Sequence, residues 1–252
     1  MDQVEIDNRR MQMGRGAGAM LIGGPAPLVD EGEGYWIALS GAPSPDMNMA
    51  LVSAAGADVA ARTLERVTDS GTPTLFMLAG ACLSFELPTP WQHVGDVPFM
   101  ASTLDGEYLR SDPRVRQALA DDADIVCAVM CEAFGLAREV MIDVITAVVD
   151  DDDGPTKIWL LTEGDEVVSA ALTSIVDDAV TVWCMSTPER FARRGFARAI
   201  LADTLLRAKT GGATIGLLGA TPAGKPLYDA TGWVSIEHWR MFASAKSAQF
   251  DG

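Results

Sequence analysis

Residues 180–209 read VTVWCMSTPERFARRGFARAILADTLLRAK, and no other stretch restricts the fold as tightly. Val180–Ser186 is rich in β-branched and aromatic side chains and reads as a strand. From Ala197 onward the pattern changes period. Ala197, Ile200, Leu201, Thr204, Leu205 and Ala208 fall on one helical face, and Gly211-Gly212 ends that helix. A strand that feeds straight into a helix through a short loop is a building unit of α/β folds. The loop itself is unusual, because RFARRGFARA (190–199) concentrates arginines in a chain whose net charge is -16.

The chemistry of such a loop follows from the helix behind it. The first turn of a helix has amide N–H groups without internal partners, and the helix dipole adds partial positive charge there. Gly195 removes a Cβ from the approach, and Ala197 is small for the same reason. Arg193, Arg194 and Arg198 supply full charges, with Phe196 between them. Together they describe a cradle for a diphosphate. The competing reading is a solvated basic helix start, its arginines paired to nearby acids.

The elements around this unit alternate in the same way. PRVRQAL (113–119) is a short strand. Asp121 is the expected N-cap of a helix through DADIVCAVMCEAFG, and a second helix runs from about Ala137 to Val148. KIWLLTEG and EVVSAALTSIV are strands joined by a turn at Gly164-Asp165. TIGLLGA is another strand, Lys225–Ala230 a short helix, and WVSIEHWRMFAS one or two closing strands. Earlier in the chain, YWIALSG, NMALVS, TLFMLAGA and WQHVGDVPFMAS read as strands, with a helix near Val59–Thr68. An echo links the two parts. LERVTDSGTPTLFMLAGA (64–81) resembles LLRAKTGGATIGLLGA (205–220), and Trp91 precedes FMAS as Trp233 precedes MFAS, both at an offset of about 140 residues. A duplicated unit accounts for both matches; chance similarity of two helix–strand pairs is the alternative.

Several functions are argued against. The sequence pI near 4.4 disfavours nucleic acid as a partner. No run of apolar residues is long enough to span a membrane, and the first twenty residues lack the apolar core of a signal peptide, so a cytoplasmic location is expected. Cys82, Cys127, Cys131 and Cys184 form no CxxC pair, and with only His93 and His238 beside them no metal site is expected. Cys127 and Cys131 should share one helix face as free thiols. GATPAGKP (219–226) nearly spells a P-loop, but Pro226 stands where the magnesium-binding hydroxyl belongs. GRGAGA (14–19) has no strand before it to make a dinucleotide site.

Residues 110–244 resemble the GNAT superfamily of acyl-CoA-dependent N-acetyltransferases. VRQALADDADIVCAVMCEAFG is similar to the family's first strand and helix. ARRGFA (192–197) matches its pattern of Gln or Arg, two variable residues, Gly, one variable residue, then Gly or Ala, departing at Ala192. ATPAGKPLYDATGW (220–233) resembles a later segment in which a tyrosine precedes a Gly-aromatic pair. The resemblance implies a mixed central sheet flanked by helices. It implies acetyl-CoA as cosubstrate and direct attack by a primary amine, carried by a small molecule or a peptide, with both substrates bound. It places the backbone of Cys184, Met185 and Ser186 against the pantetheine arm, and Arg193–Arg198 around the pyrophosphate. Tyr228 matches the tyrosine that protonates the departing thiolate, its other reading being a wall of the core or cofactor site. No general base is assigned; Asp177, Asp178 and Glu132 read as surface acids. The domain expectation is a degenerate, truncated GNAT-like unit over 1–109, whose AAGAD link carries no arginine, and a catalytic unit over 110–252. A non-catalytic CoA-binding or scaffold protein is the alternative. A homodimer is compatible with the sequence, which does not set the oligomeric state.

Overall fold

Alternation and strand-forming residues produce most of the elements expected, and the surprises lie in how they pair. The computed structural model describes residues 1–54 and 56–245; Ala55 of the AAGAD link and the chain after Ala245 lie outside the described residues. The elements are α1 (Gln3–Leu21), β1 (Leu28–Gly32), β2 (Tyr35–Leu39), β3 (Asn48–Val52), α2 (Ala57–Asp69), β4 (Leu75–Leu78), β5 (Gln92–Thr103), β6 (Val115–Gln117), α3 (Ala123–Phe134), α4 (Arg138–Asp150), β7 (Thr156–Glu163), β8 (Glu166–Val176), β9 (Ala179–Ser186), α5 (Phe196–Thr210), β10 (Ile215–Gly219), α6 (Lys225–Asp229) and β11 (Val234–Ala243). Among the described residues the strands form one mixed sheet, in the order β1-β2-β3-β4-β11-β5-β10-β9-β8-β7-β6.

The order repeats itself about its centre. β3 and β4 pair parallel, as do β9 and β10. β4 then pairs antiparallel with β11, and β10 antiparallel with β5. β5 and β11 themselves form the central antiparallel pair. So the strand that follows β4 in sequence joins the later half, and the strand that follows β10 joins the earlier half. The two echoing sequence segments coincide with matching elements: α2–β4 with α5–β10, and β5 with β11. Strands from before and after residue 109, the boundary expected between domains, share the sheet through the β4–β11, β11–β5 and β5–β10 pairs.

Helix α1 is the element least visible in the sequence. Asp2 caps it, accepting from the Glu5 amide at 2.9 Å. The GRGAGA run lies in its interior and serves close packing. A Cβ on Gly14 would stand 2.3 Å from the Trp36 ring, and one on Gly16 only 2.2 Å from Thr181 Oγ1. Gly14 and Gly16 point to opposite sides of the helix, yet their neighbours belong to β2 and β9, far apart in the sheet order. The sheet therefore curls around α1 and grips it from both sides. Glycine in a helix costs about 1 kcal/mol relative to alanine, which this close approach offsets.

The core follows from the layers. α1, α3 and α4 share one apolar cluster with Trp36, Phe99 and Trp239 on the inner face of the sheet. α2 covers the other face of the early strands through Leu64 and Val67. α5 covers it over the later strands through Ile200, Leu201 and Leu205, while Ala197 and Ala208 of the expected face are only half-buried. The start of α3 is also shifted. A 3-10 turn occupies Ala120–Asp122, and Asp122 rather than Asp121 sits at the helix start. The Asp122 carboxylate accepts from the Leu119 amide at 2.8 Å, so the acid closes the turn instead of capping the helix.

Arg10 of α1 ties the halves together. It is 2% exposed and donates to Glu237 of β11 and to Asp7. Glu237 also accepts from the Gly80 amide at 3.0 Å and the Trp239 indole at 2.8 Å. Every charge in this cluster has hydrogen-bonded partners, the condition under which a buried ion pair holds together.

Candidate active site

The site begins where β9 and β10 part. Their parallel ladder holds only at Ala179–Thr181 against Ile215–Leu217. Beyond it, β10 keeps its bonds to β5 through Leu218 and Gly219, and β9 keeps its bonds to β8 as far as Ser186. Val182–Ser186 is therefore unpaired on its β10 side, and buried backbone left so needs another partner.

A β-bulge accompanies the parting. Trp183 opposes Leu172 and Ser186 opposes Ala170, so Cys184 and Met185 together face a single residue of β8. Cys184 has φ 47, a left-handed conformation uncommon for a non-glycine residue. Bulges re-aim side chains and backbone groups. Ser186 is turned inward: its hydroxyl donates to the Cys184 carbonyl at 2.7 Å, and its own carbonyl accepts from Ser169 Oγ at 2.7 Å. Ser169 is a support that no local sequence pattern singles out. Of the three residues expected along a cofactor arm, Cys184 and Met185 keep accessible surface, whereas Ser186 is buried.

The loop after β9 leads to the arginines. A 3-10 turn spans Glu189–Phe191, and Phe191 anchors it in the core. Arg193 has φ 59 and Gly195 φ 85. Gly195 is the N-cap of α5 and offers no side-chain cap. A Cβ there would meet nothing within 4 Å, so backbone conformation, not crowding by this chain, calls for glycine. Among the described residues, the amides of Arg193 and of Gly195–Arg198 donate to no backbone or side-chain acceptor, while Ala199 starts the helical ladder by donating to Gly195.

The arginines divide into two kinds. Arg190 is committed: it pairs with Glu132 and Glu166 and lies over the Phe191 ring. Arg193, Arg194 and Arg198 are exposed and, among the described residues, form no ion pair. Arg194 only rests over Phe196, 4.8 Å from the ring centre. Three uncompensated cations surround free amides at a helix start, in a strongly acidic chain. The alternative of arginines neutralised by neighbouring acids holds for Arg190 alone.

Tyr228 of α6 stands on the other side of the parting. It is 6% exposed and meets the Trp233 ring edge-on at 5.7 Å. Burial, then the neighbouring Cys184, holds its phenol well above the usual tyrosine range, so the hydroxyl keeps its proton near neutrality. The same enclosure pushes the Cys184 thiol up to about 12, which makes it a poor nucleophile. Lys225, the lysine of the near P-loop, is spent on Asp229 at 2.7 Å. Asp178 braces α1 through Arg9 and Gln12 and is no part of this site. The cysteines are free, with Cys127 Sγ 3.7 Å from Cys131 Sγ on one face of α3. No helix among the described residues is long and apolar enough to cross a membrane.

No family model matches the sequence, and no curated protein does. Solved structures do match its shape. A GCN5-related N-acetyltransferase from Kribbella flavida superposes with a TM-score of 0.65 at 15% identity, over 95% of this chain and 96% of that one. A conserved protein of unknown function from Staphylococcus epidermidis gives 0.61 at 12% identity, over 85% and 92%. A GCN5-related N-acetyltransferase from Sphaerobacter thermophilus gives 0.58 at 13% identity, over 86% and 77%. Both halves of the chain fall within the first of these superpositions, and at such identities it is the fold that is shared: the chain has the GNAT fold, a mixed central sheet flanked by helices.

Proposed function

We propose that this protein transfers an acetyl group from acetyl-CoA to a primary amine. The observation that carries the reading is the parting of β9 from β10 directly before an uncompensated arginine loop. A thioester cosubstrate with a long polar arm and a pyrophosphate needs both features: unpaired strand backbone for the arm, and free amides with cations for the phosphates. The residues fit that molecule. The open space at Gly195 admits an anion, Arg193, Arg194 and Arg198 surround it, and Cys184 and Met185 line the arm.

The chemistry then needs two proton movements. The attacking amine must lose a proton, and the departing CoA thiolate must gain one. Tyr228 is suited to the second task, because its buried phenol keeps its proton at neutral pH and lies beside Cys184 at the parting. The Cys184 thiol stays protonated, which favours direct transfer over a cysteinyl intermediate. We read the earlier half as a second, degenerate copy of the same unit, supported by the repeated pairing order and by the sequence echo. It has no counterpart of the arginine loop.

The test is release of CoA from acetyl-CoA over a panel of amines, followed with a thiol reagent. Tyr228→Phe should lower kcat by about 10²–10⁴-fold, the usual range for a positioned acid, with little change in KM. Binding of acetyl-CoA without release for any amine would identify a sensor instead of an enzyme.

A further inference from the structure

A cavity of about 1060 Å³ opens in the earlier half. It lies at the ends of β3 and β4, between the N-terminal parts of α1 and α2. It shares no lining residue with the parting of β9 and β10. Four strand steps separate the two along the sheet, about 19 Å at ~4.8 Å per step.

Its charges are the informative part. Asp7, Glu33, Arg62 and Arg66 line it. Asp7 is occupied by Arg10 and Gln3. Arg66 is occupied by Asp30, which also accepts from the Tyr35 hydroxyl at 2.8 Å. Glu33, in the β1–β2 turn, and Arg62, on α2, form no ion pair among the described residues. One carboxylate and one guanidinium without an ion pair among the described residues thus line the same space, with Asp7 and Arg66 already paired. A purely anionic ligand would meet the unpaired Glu33. A purely cationic one would meet the unpaired Arg62. Only a molecule carrying both signs meets a partner at each end.

We propose that this cavity binds a small zwitterion, with its carboxylate on Arg62 and its protonated amine on Glu33, at a site separate from the arginine cradle. The probe is a ladder of unblocked glycine oligomers, from glycine to pentaglycine, titrated calorimetrically into the whole protein. One length should bind best, marking the span between the two charges. N-acetylating or C-amidating that oligomer should weaken it at least tenfold, as should Arg62→Glu or Glu33→Lys. Both side chains are exposed, so these variants should fold, which an unchanged melting temperature would confirm. The exchange Arg62→Glu with Glu33→Arg should restore binding, with the ligand reversed. Saturating acetyl-CoA should leave the affinity unchanged. No binding along the ladder, binding indifferent to the two substitutions, or competition by acetyl-CoA would overturn the proposal.

Discussion

The ends of β3 and β9 occupy matching places in the sheet and differ in their pairing and in the link that follows. β3 stays paired with β4 to its last residue, and the Ala79 amide still closes onto the Val52 carbonyl at 2.9 Å. β9 loses β10 after Thr181. The link to the next helix is short after β3, and after β9 it is a folded loop carrying Arg193 and Arg194, with Arg198 in the first turn of α5. The same strand order therefore yields a sealed seam in one half and an open one in the other. Backbone left unpaired at β9 is tolerable only where something else satisfies it. The difference therefore points to a ligand at the second seam, whereas the first half presents its cavity beyond the strand ends.

The largest expected effect tests whether the halves stand or fall together. Arg10→Met leaves the partly buried Glu237 without its cation, and breaking a fully buried pair costs about 3–5 kcal/mol, an upper bound here. Because β11 lies inside the sheet of the earlier half, denaturant should unfold the variant in one transition at a lower midpoint. Two separated transitions would mean that the halves are independent. Next is the helix both halves grip. Gly14→Ala should destabilise by about 1–3 kcal/mol through overpacking against Trp36, despite alanine's better helix propensity; a gain in melting temperature would show that α1 is held loosely.

The comparison was partly legible in the sequence. Val180–Ser186 and the helix after Gly195 announce themselves, because strand-forming residues and helical periodicity are local properties. The arginine loop is legible for the same reason. The exchange of β5 and β11 is not, since nothing in WQHVGDVPFMAS states which neighbour it will take. Helix α1 is hidden because glycine and arginine replace the usual apolar stripe, and only the curl of the sheet around it explains their use. The conformation of Cys184 and the support from Ser169 depend on the register of β8 against β9, which no single-sequence pattern fixes. The cavity near Glu33 and Arg62 likewise depends on elements distant in the chain.

Smaller effects sharpen the account. Gly195→Ala forces a side chain into φ 85 and should cost about 1–2 kcal/mol, read as a lowered melting temperature. A neutral result would mean that the loop relaxes without cost. Smallest is a pH effect. The Arg9 guanidinium, with Gln12 and Thr214, holds the Asp178 carboxyl well below the usual aspartate range. Stability from a depressed carboxyl is present above its unfolded pKa and is lost as pH falls through its folded one. Asp178→Asn should therefore be less stable than the parent at pH 7, and the gap should shrink on acidification below about pH 4. Asp178 is partly exposed, so the effect should be modest, and a gap independent of pH would assign it to packing.

The central claim is that the open seam and its arginines hold acetyl-CoA. The direct measurement is calorimetric titration of acetyl-CoA into the wild type and into the combined Arg193→Glu, Arg194→Glu, Arg198→Glu variant. The account predicts micromolar affinity, about -8 kcal/mol, for the wild type, and weakening of at least about 100-fold in the variant, since each lost charge-assisted contact is worth about 1.5–3 kcal/mol. Equal affinity in both proteins, or no binding to the wild type, would contradict it.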